Sequence, residues 1–133
     1  MPARLAMLRP LLETSDLGGT IAFWTDQLGF TVTSKLDDDK ARPLWCNLLR
    51  DDVRLMFNTH YHDDPEEAEE DHGASLTGAL YINVDDVDAL AGSLDRARVE
   101  FLADLADQPH GMREIIVRDN NGYVIIFGQP LDA

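Results

Sequence analysis

Leu48-Leu49-Arg50-Asp51-Asp52-Val53-Arg54-Leu55-Met56-Phe57 and Ile116-Val117-Arg118-Asp119-Asn120-Asn121-Gly122-Tyr123-Val124-Ile125-Ile126-Phe127 are one phrase written twice. In each, an apolar run reaches an Arg-Asp turn and a second apolar run returns to end on Phe, which is the pattern of a β-hairpin. Asn120-Asn121-Gly122 supplies residues that tolerate positive φ, as a tight turn requires. Phe57 and Phe127 lie 70 positions apart.

The same offset holds upstream. Asp16 opens a segment with apolar residues at Leu17, Ile21, Trp24 and Leu28, a helical stripe that Gly29 stops with a left-handed cap. Asp86, 70 positions on, opens another, with Val87, Leu90, Leu94 and Ala97 on one face. Ser15 or Asp16, and Asp85 or Asp86, are the expected N-caps, because a short oxygen-bearing side chain satisfies the first free amides of a helix. Trp24, on the stripe, belongs to the core. Strand-like runs precede the helices at Leu8–Leu12 and Leu80–Val84, and follow them at Phe30–Val32 and Val99–Leu102. Each half therefore reads strand, helix, strand, strand, strand. Two landmarks at one offset make this an internal repeat. The expected fold is α+β, with two tandem βαβββ modules forming concave mixed sheets. Module 1 spans about 5–60 and module 2 about 77–130, joined by an acidic linker over 61–76.

The 133 residues suit one domain, and the formal net charge of −14 bounds its partners. Residues 1–62 carry a net of −1, residues 63–71 hold seven acids and no base, and residues 72–133 carry −6. Half of the charge thus sits in the linker, where solvation accounts for it. No basic stripe exists to replace counterions on a nucleic acid or to dock on an anionic membrane. A single cysteine, Cys46, rules out an intramolecular disulfide and suits a reducing cytosol; between Trp45 and Asn47 it reads as a small core residue. Without a signal peptide's apolar run or a stretch approaching 20 apolar residues, a soluble, cytoplasmic protein is expected.

A duplicated module of this size resembles the vicinal oxygen chelate superfamily of glyoxalases, bleomycin and fosfomycin resistance proteins and extradiol dioxygenases. Three phrases carry the likeness: Ala22-Phe23-Trp24-Thr25-Asp26-Gln27-Leu28-Gly29-Phe30; Val84-Asp85-Asp86-Val87-Asp88-Ala89-Leu90; and Asp107-Gln108-Pro109-His110-Gly111-Met112-Arg113-Glu114 with Arg118-Asp119 and Gly122. The last looks most like the bleomycin-resistance branch. The likeness spans roughly residues 5–129. It implies strands curled about a cleft and, for that branch, a homodimer with clefts at the subunit interface. The scaffold hosts many chemistries, so the fold does not by itself fix an activity.

The superfamily's enzymes hold a divalent metal with His and Glu on the first and last strand of each module. The resemblance places those positions at Arg9, Met56, Ala79 and Ile126. Arg has no lone pair to offer, Ala and Ile have no donor atom, and Met offers only a soft thioether. No metal and no other cofactor is therefore expected. Of the four histidines, His60, His62 and His72 lie in or beside the linker and read as surface loop. His110 stands where the bleomycin-resistance pattern tends to have Trp. No serine has a nucleophile-elbow setting, and no phosphate-cradling glycine loop is present.

The expected function is metal-independent binding of a drug-sized ligand by sequestration in a dimer-interface cleft, as in antibiotic resistance. Its expected contacts are Arg9, Trp45, Asn47, Met56, Tyr81, His110, Arg113, Glu114 and Ile126, with no catalytic residue assigned. Tyr81 and Trp45 offer stacking surface, Met56 an adaptable contact, and Arg9 or Arg113 a fixed charge that suits an anionic group. Two alternatives stay open: an enzyme of the superfamily using Glu114, Tyr81 or His110, and a homologue whose cleft is filled by its own side chains.

Overall fold

In the computed structural model, which describes residues 2–61 and 78–131, each half builds its own four-stranded sheet. The first module runs β1 (Leu11–Glu13), α1 (Leu17–Ala22) continuing as a π-helical turn (Phe23–Gln27), β2 (Thr31–Asp37), β3 (Pro43–Arg50) and β4 (Val53–Asn58). The second runs β5 (Ala79–Asn83), α2 (Val87–Ser93), β6 (Glu100–Asp107), β7 (Met112–Arg118) and β8 (Val124–Pro130). The strand orders are β1-β4-β3-β2 and β5-β8-β7-β6. In each sheet the first strand pairs parallel with the last, and the other pairs are antiparallel. This is the α+β tandem of βαβββ modules. The repeat survives at atomic detail: Leu11 pairs with Met56 as Tyr81 pairs with Ile126.

Both helices start as the sequence dictates. Asp16 and Asp86 have nearly the same backbone angles, φ −142°, ψ 86° and φ −144°, ψ 86°, and each carboxylate accepts from the amide three residues on. Gly29 stops the first helix at φ 73°. The helix before it is not regular throughout. Its second half widens into the π turn, where the Thr25 hydroxyl donates to the Ile21 carbonyl at 2.8 Å and so competes for a backbone acceptor. The second helix ends earlier than its stripe implies. Leu94 is extended (φ −84°, ψ 135°), which leaves Ala97 exposed beyond it. The first strand is also shorter than expected. Pro10 has no amide to donate, and although its carbonyl accepts from Met56 at 2.8 Å, the chain before it lies outside the sheet with Leu8 exposed.

Strand alternation divides each sheet into two faces. Cys46, Leu48, Leu55 and Phe57 of one sheet, and Ile115, Val117, Ile125 and Phe127 of the other, point toward the helices. There they form one core with Leu17, Trp24, Leu28, Val87 and Leu90. The modules are joined by polar contacts as well. Trp24, fully buried, donates from Nε1 to the Asp119 carboxylate at 3.0 Å, and Thr14 and Thr20 hydrogen-bond Asn121. No helix among the described residues is long and apolar enough to cross a membrane.

Candidate functional site

The faces turned away from the helices carry the candidate site. In the first sheet Trp45, Asn47 and Met56 share this face, with Asn47 opposite Met56 in the β3–β4 register. Arg9, just before the first strand, reaches them: its guanidinium donates to the Asn47 side-chain oxygen at 3.3 Å. The Asn47 amide nitrogen in turn donates to the Thr33 hydroxyl at 2.6 Å, which fixes the amide's orientation. The half-buried Trp45 and Met56 flank this polar pair.

In the second sheet Tyr81, Glu114 and Ile126 share the face, and His110 joins them from the β6–β7 turn. Tyr81 is on the edge strand β5, and Glu114 is two strands away on β7, beyond β8. The tyrosine spans that distance because the intervening residue is Gly128, which pairs with Glu114. A methyl group at Gly128 would collide with the phenol oxygen. The Tyr81 hydroxyl donates to Glu114 Oε2 at 2.5 Å, and His110 Nε2 lies 2.8 Å from the same oxygen. Glu114 is only 6% exposed, while both partners remain open to solvent.

The electrostatics follow from that arrangement. Burial pushes the Glu114 carboxyl up, but the hydrogen bonds from Tyr81 and His110, with the nearby His110 charge, outweigh it and leave the group below its usual value. The Tyr81 phenol is pushed up to about 12, by desolvation first and then by the carboxylate it serves. The pair is thus a settled carboxylate holding a neutral phenol. Around it lie an exposed aromatic ring, an imidazole and the half-buried Ile126.

Arg113 is not part of this group. As the neighbour of Glu114 it points to the opposite face, where it pairs with Asp88 of α2 at 3.0 Å and with Asp107 of β6 at 2.9 Å. It ties helix to sheet. Two residues that sequence reasoning did not single out, Gly128 and Thr33, set the geometry of the two groups. Glycine inside a strand is the usual mark of a close approach, and Gly128 carried that signal. Among the described residues no hydrogen bond or ion pair joins the Arg9–Asn47 group to the Tyr81–Glu114 group. His60 is exposed and lies 3.7 Å from Glu13, whereas His62, His72 and nearly all of the linker fall outside the described residues.

The residues that the resemblance places at the superfamily's metal positions do not form a donor set for a metal. Ala79 and Ile126 lie on the open face of the second sheet and bring no donor atom; Met56 lies opposite Asn47, and Arg9 is bonded to that amide. Among the described residues no three His, Cys, Asp or Glu side chains are grouped to hold one.

A family model for the glyoxalase/bleomycin resistance protein/dioxygenase superfamily matches residues 6–127. No curated protein matches the chain. Among solved structures, TioX from Micromonospora sp. ML1 is 18% identical, with 93% of this chain and 95% of that one covered and a TM-score of 0.70. The bleomycin-binding protein from Streptomyces verticillus, complexed with copper(II)-bleomycin, is 27% identical over 95% and 97% of the two chains, with a TM-score of 0.61. A lactoylglutathione lyase from Agrobacterium tumefaciens is 19% identical over 96% of each, with a TM-score of 0.68. With its repeat, its strand orders and a family match over nearly its whole length, the chain belongs to the glyoxalase/bleomycin resistance protein/dioxygenase superfamily.

Proposed function

We propose that the protein binds a drug-sized molecule and releases it unchanged, in the manner of a bleomycin resistance protein. The Tyr81–Glu114–His110 cluster carries this reading. A general acid or base works best with its pKa near the working pH. Here desolvation and the shared hydrogen bond move the phenol up, and the hydrogen bonds from Tyr81 and His110 outweigh burial to hold the carboxyl down, both away from the working pH. What is left for a ligand is a fixed aromatic surface with a hydrogen-bonding rim, which suits binding.

The two open faces supply complementary halves. Trp45, Met56 and the Arg9–Asn47 pair offer apolar contact and a cation; Tyr81, Ile126 and His110 offer a ring and an imidazole beside a carboxylate. A second copy of the chain, related by two-fold symmetry, is the proposed means of bringing one half against the other. Leu11 is 52% exposed and Tyr81 45%, so each open face presents apolar surface for a partner to cover. The homodimer's setting is proposed to be the cytoplasm, with neither nucleic acid nor membrane as partner.

The test is calorimetric titration with copper(II)-bleomycin and with small aromatic carboxylates, followed by mass spectrometry of the recovered ligand. Saturable binding, ligand recovered intact, and at least a tenfold loss of affinity in Tyr81→Ala are expected. A chemically altered ligand, or affinity indifferent to both Tyr81→Ala and Trp45→Ala, overturns the reading. Light scattering at several concentrations tests the dimer; a monomer at every concentration would remove it.

A further inference from the structure

The two modules meet through two equivalent contacts, each made of one module's hairpin turn and the other's strand-to-helix junction. In one, the turn before β8 is packed against Leu12–Thr20. Asn121 hydrogen-bonds Thr14 and Thr20, Asn120 reaches Thr20, and the Tyr123 hydroxyl donates to the Glu13 carbonyl at 2.9 Å. In the other, the turn between β3 and β4 faces Ile82–Leu90. Strand register aligns Val53 with Tyr123 and Arg50 with Asp119. Between the aligned positions stand only Asp51 and Asp52, where the other turn has Asn120, Asn121 and Gly122. The shorter turn and smaller side chain leave a cavity of about 520 Å³ where a phenol ring and two carboxamides fill the sister contact.

Phe30, Val53, Val84, Leu90 and Phe127 give this cavity an apolar lining, and Asn83 is the counterpart of Glu13. Asp51, Asp52 and Asp85 stand at its exposed edge. The one basic group there, Arg50, already donates to the Leu28 carbonyl at 2.8 Å and lies 3.9 Å from Asp51. Asp52 and Asp85 hold no hydrogen bond or ion pair among the described residues. We infer that the cavity between the β3–β4 turn and α2 is a second ligand site, distinct from the open faces, for a small aromatic cation of the arylalkylammonium class. The ring takes the place that Tyr123 takes in the sister contact, a ring hydroxyl donates toward Asn83, and the ammonium lies between Asp52 and Asp85.

Tyramine carries that ring, hydroxyl and ammonium, and is the probe. Titrated into the ¹⁵N-labelled full chain, it is expected to shift amides of Val53, Asn83, Ala89 and Phe127 saturably and to leave those of Tyr81 and Glu114 in place. Asp52→Asn with Asp85→Asn weakens binding by roughly threefold to tenfold, as expected for two exposed charge pairs. Val53→Tyr, which restores the sister contact's ring, abolishes it; should that variant not fold, Ala89→Lys on the exposed face of α2 places a repelling cation at the mouth with the same expected result. Shifts confined to Tyr81, His110 and Glu114, equal binding of 3-(4-hydroxyphenyl)propionate, or affinity unaffected by these variants each overturns the assignment. Val53 and Ala89, at the end of the β3–β4 turn and on α2, report the cavity, whereas Tyr81 and Glu114 report the open face of the second sheet, so the two sites fail or succeed separately.

Discussion

Replacing Gly128 with Ala tests how the second module builds its polar cluster. A methyl group there would sit 2.8 Å from Cζ and 3.1 Å from Cε1 of Tyr81, inside van der Waals distance, besides meeting the phenol oxygen. The ring must swing away, and Glu114 loses its 2.5 Å donor while remaining buried. A hydrogen bond to a charged group contributes about 1.5–3 kcal/mol. Against that, removing a glycine's extra backbone freedom returns roughly 0.5–1 kcal/mol. The net destabilisation is therefore about 1–2 kcal/mol, or a fall of roughly 3–8 °C in melting temperature for a domain of this size. The assay is urea unfolding of four proteins at equal concentration: wild type, Gly128→Ala, Tyr81→Ala and the double variant. In the Tyr81→Ala background the collision is gone, so Gly128→Ala is expected to be neutral or mildly stabilising, and the coupling between the two positions should exceed 1 kcal/mol. Absorbance titration gives an independent reading, since the Tyr81 phenol, held at about 12 in the wild type, returns toward its usual 10 in Gly128→Ala. Equal cost in both backgrounds would refute the account, because the methyl would then act through the backbone and not through Tyr81.

Acid unfolding reports on Glu114. Its lowered carboxyl stabilises the folded state above the ordinary value of 4.5, and that contribution is lost as pH falls through the folded pKa, so Glu114→Gln should flatten the stability profile below pH 4.5. At the other end, Tyr81's raised value favours the folded state up to pH 10, with the benefit lost between 10 and about 12; alkaline melts of Tyr81→Phe check this. Asp16→Ala and Asp86→Ala should each cost about 1 kcal/mol, and by similar amounts, because the two caps share one geometry; chemical denaturation measures both. Melting temperature is expected to be unchanged by EDTA, and a fall of several degrees would show a structural metal.

The fold was readable because its signals are local and repeated. The capping aspartates, Gly29 and the hairpin phrase each act within a few residues, and the 70-residue offset turned weak signals into one pattern. The apolar run from Leu8 implies a longer first strand than Leu11–Glu13, because hydrophobicity continues through Pro10 whereas its missing amide ends the pairing. The open-face groups were partly readable. Trp45 and Asn47, two apart on one strand, share a face, whereas Arg113 and Glu114 are adjacent and cannot. That alternation alone separates Arg113 from the cluster. The role of Gly128 depends on β8 lying between β5 and β7, a fact of strand order that no local stretch encodes.

The parallel pairing of first with last strand sets how the chain must reach this structure. Leu11 meets Met56 and Tyr81 meets Ile126, in each case 45 positions along the chain. Neither sheet gains its edge strand until a long loop has closed, and such closure slows folding relative to helical proteins of equal stability. Because each loop closes within its own module, the two closures need not wait for one another. The contacts of Trp24 with Asp119 and of Thr14 with Asn121 then form only when both halves are in place. In refolding, the Trp24–Asp119 hydrogen bond should accordingly form after the sheets, whereas the packing of the Trp24 ring on Phe30 and Phe57 arises within its own module.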